Sequence, residues 1–468
     1  MTVAVLGGGI AGLAAARELE SLLPDAAIVL LEREARFGGK IVTERFDGFV
    51  VEGAPDSFLA RKERGVGLCE ELGLSDELVG RRPENARTFV RFGGELRPLP
   101  SGLTGMIPTD LSALEDTSLL SAEGRERLAA EPGLPPAPPD GDESIAAFVS
   151  RRLGREAYER IVEPLMTGIY GGDGERLSLQ ATFPGLRVLE LEHGSLLRGL
   201  AAQPAPATRY PPFVSLRDGM EQLVSVLAAS LRRTRVLTGR SAVAVRRRHG
   251  TFVAELADGD GVEADGIVVA TPADVTAELL AELDPGLAGL HAEIPHASSV
   301  VVTLGLRAED VESRLAGYGY VVPRTEGSDV LACTWTSSKW EGRAPAGAML
   351  VRVYAGRFGL RDLTGETDDA LLALAREELR HVGIDAEPVL QRVHRWPNGM
   401  PQYVLGHPER LERIAAALEE HPRLALAGAA YRGVGLPDCI DSGEEAARSV
   451  ARALRRRSAP AEPAASAK

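Results

Sequence analysis

The segment Gly7-Gly8-Gly9-Ile10-Ala11-Gly12 constrains this chain more than any other. It sits between a short apolar run, Thr2–Leu6, and an Ala- and Leu-rich stretch, Leu13–Leu23. That order predicts strand, tight turn and helix, with a second apolar strand at Ile28–Leu31. Gly7 permits the turn, Gly9 leaves bare backbone for a ligand, and Gly12 lets the helix pack close to the strand. A helix N-terminus there presents free N–H groups and a positive dipole to a pyrophosphate. Glu32 stands twenty residues after Gly12, at the end of the second strand next to Leu31, where a carboxylate accepts hydrogen bonds from ribose hydroxyls. G-x-G-x-x-G alone is a weak signal. With strand, helix, spacing and acid in agreement, it predicts a dinucleotide-binding βαβ unit.

The rest of the chain limits what such a unit serves. At 468 residues and 44% hydrophobic, the sequence is long enough for two or three domains. A net charge of −14 excludes nucleic acid as a partner, and an anionic substrate then needs a local basic cluster. No run of 18 apolar residues predicts an integral membrane segment. Met1 leads straight into the first strand, so no cleavable leader is expected. Cys69, Cys333 and Cys439 are scattered and show no C-x-x-C spacing. They predict small core residues in a reducing cytoplasm, without disulfides. The histidines show no metal spacing, and no metal is expected.

Along the chain, residues from about 66 to 200 read as largely helical, broken by an exposed Pro-rich loop at Pro132–Asp142. Within them, Arg87–Phe92, Gly93-Gly94 and Glu95–Leu99 predict a hairpin. Strands follow at Val236–Thr238, Ala242–Arg246, Thr251–Leu256 and Gly266–Ala270. A β-rich stretch with one helix comes next (298–395), then a Gly-rich turn and a final helix from about Gly443 to Arg456. Trp335 and Trp340 predict sheet core.

Arg36-Phe37-Gly38-Gly39-Lys40, soon after Glu32, brings a second glycine pair to the dinucleotide. It resembles the R-x-G-G-K/R signature of the flavin amine oxidase superfamily. Asp265–Pro272 and Leu426–Ser442 resemble the returning strand and the Gly-rich flavin turn of that superfamily. Further motifs narrow the likeness to the porphyrinogen oxidases of haem biosynthesis. They are Glu52-Gly53-Ala54-Pro55-Asp56-Ser57-Phe58-Leu59, Glu163–Asp173, Leu216–Met220, Trp396 with Met400–Tyr403, Gly406-His407 and Gly433–Ile440. Ala332–Thr336 with Lys339-Trp340 resembles their soluble bacterial branch, the coproporphyrinogen III oxidases of Gram-positive organisms.

The resemblance implies an α/β fold of the α+β multidomain kind. A discontinuous Rossmann-like FAD-binding domain takes 1–65, 215–295 and 395–457. A mainly helical domain with a hairpin, 66–214, forms part of the substrate cavity, and a β-rich, mixed-sheet substrate-binding domain takes 296–394. The tail, 458–468, is expected to be disordered. FAD contacts carry over to Gly7, Gly8, Gly9, Ile10, Ala11, Gly12, Leu31, Glu32, Gly39, Lys40, Gly53, Ala54, Pro55 and Asp56, to Ala242 and Val243 on the adenosine side, and to Trp396, Gly433, Val434, Gly435 and Leu436. Lys62 carries over as the basic catalytic residue; read from its surroundings alone, Lys62 is a solvated surface lysine.

The implied reaction is six-electron oxidation of coproporphyrinogen III to coproporphyrin III, in two-electron steps with O2 as acceptor and H2O2 released. A transient hand-off to a ferrochelatase is an implied partnership. Candidate groups for the substrate carboxylates are Arg61, Lys62, Arg64, Arg87, Arg91 and Arg97. The rival readings are a protoporphyrinogen IX oxidase, an amine oxidase, a carotenoid desaturase and a flavin-binding scaffold without turnover.

Overall fold

A computed structural model describes residues 1–136, 141–203, 209–311 and 314–458. Its centre is a five-stranded parallel sheet, built from β1 (Thr2–Leu6), β2 (Ala27–Leu31), β3 (Arg235–Leu237), β4 (Gly266–Val269) and β5 (Leu424–Leu426) in the order β3-β2-β1-β4-β5. Alternation along β1 sends Val3 and Val5 to one face and Ala4 and Leu6 to the other. On the first face lie α1 (Ile10–Leu22) and α2 (Leu436–Ser458), together with the helix Glu221–Ser230. On the second lies a three-stranded antiparallel sheet, Ala242–Arg248, Thr251–Leu256 and Gly261–Ala264. The sheet is therefore covered on both sides, as a parallel sheet requires.

A second sheet has seven strands, in the order Leu390–Pro401, His296–Arg307, Ala348–Ala355, Val330–Trp335, Gly319–Val321, Thr88–Phe92 and Glu95–Pro98. One face packs on the helix Asp368–His381, and the other faces the helices between Ile145 and Ala202. The hairpin of residues 88–98 is thus an edge of this sheet, set far from its partner strands in sequence. Its turn is Gly93-Gly94 with φ of +63° and +78°, the left-handed pair that a two-residue hairpin demands. Strand Leu390–Pro401 runs across residue 395 without a break and carries His394 and Trp396 towards the parallel sheet.

Three stretches differ from the expected pattern. Residues 72–121 are short strands and 3-10 turns, because Pro83, Pro98, Pro100 and Pro108, with positive-φ glycines at 73, 93, 94, 102 and 105, interrupt any helix. The Pro-rich break opens with a 3-10 turn, Glu131–Gly133, whose Glu131 is fully buried; residues 137–140 lie outside the described residues. The last helix begins at Leu436, seven residues before the expected Gly443, since the Asp438 carboxylate accepts the Gly435 N–H at 3.1 Å and organises its first turn. Ser458 ends that helix, and the remainder of the tail lies outside the described residues. Among the described residues, no helix is long and apolar enough to cross a membrane.

Candidate active site

The first turn of α1 carries no acidic residue, and no side chain caps it, so its N–H groups face outward. A Cβ on Gly9 would meet no protein atom within 4 Å, whereas on Gly12 it would fall 1.9 Å from the Gly7 carbonyl oxygen. Gly12 is therefore required by the fold, and Gly9 leaves space for something else. Gly39 (φ +56°) comes alongside: its Cβ would lie 3.5 Å from Gly9 Cα, and the Gly38 N–H donates to Gly8 O at 2.9 Å. Arg36 fixes this second loop by donating to the carbonyls of Phe37, Gly39 and Ile41 at 2.9, 2.6 and 3.1 Å. The two glycine stretches form a cradle that a side chain would fill, which fits the pyrophosphate of FAD.

Glu32 is buried, and its carboxylate accepts from Gly8 N–H at 2.7 Å and Glu34 N–H at 2.8 Å. It braces the turn, a role that spacing does not reveal. Its backbone N–H donates to Leu237 O, and its carbonyl accepts from Arg240 N–H, which brings the Ala242–Arg248 strand alongside. Val243 lies half exposed at a bulge there. Leu31, Ile10 and Ala11 are core residues beneath the loop. Burial lowers the Lys40 ammonium below the ordinary lysine range, with the charges of Cys439 and Asp274 acting against it.

At the other end, Trp396 donates its indole N–H to Gly53 O at 2.9 Å, and Arg352 donates to Ala54 O at 2.5 Å. These bonds join the Gly53–Asp56 segment to the seven-stranded sheet. The Gly433–Leu436 turn (Gly433 φ +122°) is held from two sides. The Tyr403 hydroxyl accepts the Gly433 N–H at 2.9 Å and donates to Ala429 O at 2.6 Å, and Asp438 caps Gly435. Tyr403 is buried and stacked on His407, with ring centroids 4.2 Å apart. Gln402 donates to Tyr170 O at 2.8 Å, which ties the Glu163–Asp173 motif to the same turn.

Asp56 is taken up by protein groups. Its carboxylate accepts from Lys339 Nζ at 3.0 Å, Trp340 Nε1 at 3.2 Å and the Ser57 hydroxyl at 2.7 Å, with Arg352 Nη1 at 3.7 Å. Burial pushes its pKa up, but Lys339 and Arg352 outweigh burial and hold the carboxyl well below the usual range. Trp335 is sheet core as expected, and Trp340, equally buried, also serves Asp56.

Lys62 fits neither expected role in full. It precedes the helix Glu63–Glu71, and its ammonium contacts both Asp438 oxygens at 2.7 and 2.6 Å, leaving 42% of the side chain exposed. Of the other basic candidates, Arg64 is taken up by Glu71 and Glu444, Arg91 by Glu378, and Arg97 by the Ser118 carbonyl. Arg61 and Arg87 are exposed. Sequence reasoning passed over Arg81, Lys339 and Arg352; only the Lys339-Trp340 pair carried a signal, as part of a motif.

The flavin containing amine oxidoreductase family model matches residues 10–451. The chain is 35% identical to the coproporphyrinogen III oxidase of Bacillus subtilis (strain 168) over 95% of its own length and 96% of the relative's. It is 32% identical to that of Staphylococcus aureus (strain NCTC 8325 / PS 47), covering 96% and 98%. The crystal structure of an Exiguobacterium sp. 255-15 protein assigned as a protoporphyrinogen oxidase superposes with a TM-score of 0.87 at 32% identity, covering 96% of this chain and 98% of that one. With its paired glycine loops, this chain belongs to the flavin containing amine oxidoreductase family as an FAD-dependent oxidoreductase, and within that family it groups with the coproporphyrinogen III oxidases of Gram-positive bacteria.

Proposed function

We propose that the chain oxidises coproporphyrinogen III to coproporphyrin III, with O2 as the final electron acceptor, in the cytoplasm. The observation that carries the substrate assignment is the 35% identity, over nearly the full length of both chains, to a relative of that name. Bound FAD supplies the two-electron acceptor for each step. Gly7–Gly12, Glu32, Gly39 and Lys40 hold its dinucleotide end, with Leu31, Ala242 and Val243 beside the adenosine. Gly53–Asp56, Trp396 and Gly433–Leu436 flank its ring end.

The chain's own residues supply placement and electrostatics. Tyr403 and Asp438 hold the Gly433–Leu436 turn at both ends. Lys62, steadied by Asp438, keeps part of its ammonium towards solvent, where it meets a substrate carboxylate. An ammonium has three donors, and the two contacts to Asp438 leave one. Product release to a ferrochelatase completes the reading. The domain division at 1–65, 215–295 and 395–457 puts both glycine stretches of the cradle in one unit, to which strand Leu390–Pro401 links the seven-stranded sheet.

The test is aerobic turnover of purified protein with coproporphyrinogen III and with protoporphyrinogen IX, followed by product fluorescence with autoxidation subtracted. A higher kcat/KM for coproporphyrinogen III is expected, with about three H2O2 per porphyrin, as two-electron steps require. A clear preference for protoporphyrinogen IX would move the protein to that substrate; product without peroxide would remove O2 as the acceptor.

A further inference from the structure

The surroundings of Asp56 hold more positive than negative charge. Among the described residues, Asp56 is the one carboxylate in contact with Lys339 and Arg352, and the Lys339 and Asp56 side chains are only 16% and 11% exposed. Arg352 is fully buried, and its Nε and Nη1 atoms have no hydrogen-bond partner. A third cation, Arg81, stands at the mouth of this group. The Arg82 N–H donates to Lys339 O at 3.0 Å, and Asn85 donates to Ser338 O at 2.8 Å, so residues 81–85 lie against the 336–340 turn. The Arg81 guanidinium rests over the rings of Phe213 and Tyr318, with centroids at 4.6 and 4.9 Å. Among the described residues, Arg81 forms no ion pair within 4.0 Å. Burial lowers its pKa, with Asp56 acting against that at longer range.

The neighbouring Glu52 does not restore the balance. Glu52 is buried beside Arg343 at 3.9 Å, and burial raises its pKa towards the neutral form. Arg343 adds a fourth cation, fully buried, with its Nε unpartnered. Buried charges persist when they are paired, and an uncompensated one is expensive. This group is electrically incomplete until an anion joins it. Arg81 and Lys339, both partly accessible, carry the donors an incoming anion can reach, with Arg352 and Arg343 behind them.

We propose that Arg81 and Lys339 form a carboxylate-binding subsite beside Asp56, and that it takes a propionate of the porphyrinogen. The occupant rests on the function proposed above. A guanidinium receives a carboxylate through two parallel N–H groups, which matches a propionate head. The Phe213 and Tyr318 faces, one of them 36% exposed, suit the apolar stem and macrocycle edge behind that head. A substrate with four propionates engages such a group at an orientation that a substrate with two need not use, so the subsite also bears on specificity.

The experiment uses the FAD-loaded protein and its Arg81→Gln and Arg81→Lys variants. Binding of coproporphyrin III is read by quenching of porphyrin fluorescence, beside thermal melting and the visible flavin spectrum. Arg81→Gln is expected to weaken porphyrin binding about tenfold, the loss of one charge-assisted contact. In turnover, the effect should fall on KM more than on kcat. Its melting temperature without ligand should hold or rise, because an unpaired cation has been removed. Arg81→Lys should recover part of the affinity. A variant that binds coproporphyrin III as the wild type does, or one that loses melting temperature while keeping affinity, would overturn the subsite. Citrate separates this inference from the assigned reaction. Thermal protection of the wild type but not of Arg81→Gln by citrate keeps the carboxylate subsite even if coproporphyrinogen III proves not to be oxidised; equal protection of both removes it.

Discussion

Two buried charge clusters in this protein are built to different rules. In the helical region, Glu131, Glu143 and Glu190 meet Arg151, Arg152 and Arg187, so acids and bases balance. Glu131 is fully buried and accepts from Arg152 Nε at 2.8 Å, from the Ser195 hydroxyl, and from the Leu196 and Leu197 N–H groups at 2.9 and 3.3 Å. Every charge there has its partner inside the fold. Around Asp56, by contrast, one depressed carboxyl faces Lys339 and Arg352, with Arg81 close by. The first arrangement binds the turn after Ala130 to the helices at 145–153 and 184–202. The second sits where the Gly53–Asp56 segment meets the seven-stranded sheet, beside the cofactor cradle. Charge balance separates a cluster that holds the fold from one prepared for a ligand.

The largest effect should come from breaking the balanced cluster. Glu131→Ala leaves the buried Arg152 with only its longer contact to Glu190, at 3.5 Å, and should cost about 3–5 kcal/mol of unfolding free energy. Denaturant melts of the FAD-loaded protein measure it, and a loss below about 1 kcal/mol would erase the distinction drawn above.

Acid should strike the other cluster. The folded pKa of Asp56 lies below its unfolded value, so its contribution is fully present above about pH 4. That contribution is lost as the pH falls through the unfolded value towards the folded one. Stability measured from pH 6 downward should therefore decline more gently in Asp56→Asn than in the wild type. Parallel curves would mean that the cations do not hold the carboxyl ionised.

Lys62 and Asp438 give an intermediate case, a pair that is part exposed and beside the flavin turn. Lys62→Ala should lower kcat/KM by roughly 1–3 kcal/mol, as expected for one charge-assisted contact, and leave the visible flavin spectrum intact. Unaltered kinetics would return Lys62 to a purely structural partner of Asp438. The smallest effect belongs to the open pair of Arg155 and Glu175, 55% and 50% exposed. Glu175→Ala should shift stability by no more than about 0.5 kcal/mol, since solvent screens such pairs; a loss approaching that of Glu131→Ala would show that burial is not what sets the scale.

The strand–turn–helix around Gly7–Gly12 was legible because its physics is local. A turn that must pass from strand to helix within a few residues, bare at Gly9 and tight at Gly12, writes itself into consecutive positions. The same holds for the Gly93-Gly94 hairpin, whose left-handed pair admits few residue types. The last helix was placed late because its start depends on the Asp438 side chain reaching back to Gly435, which composition does not display. Outside the hairpin, residues 72–121 read as helix with their surroundings, although their own prolines and positive-φ glycines argue for turns.

The sequence by itself determined where backbone must approach a ligand, which strands alternate, and which family the chain resembles. The tertiary structure decided where the charges meet. Lys339 lies 283 residues from Asp56 and Asp438 lies 376 from Lys62, and no short-range pattern links either pair. Arg64 and Arg91 read as available in the sequence, and the fold gives them Glu444 and Glu378 as partners. A glycine's freedom is a property of its own bonds, and so can be read in place. The worth of a charge depends on burial and on its neighbours, and those exist only once distant segments have packed.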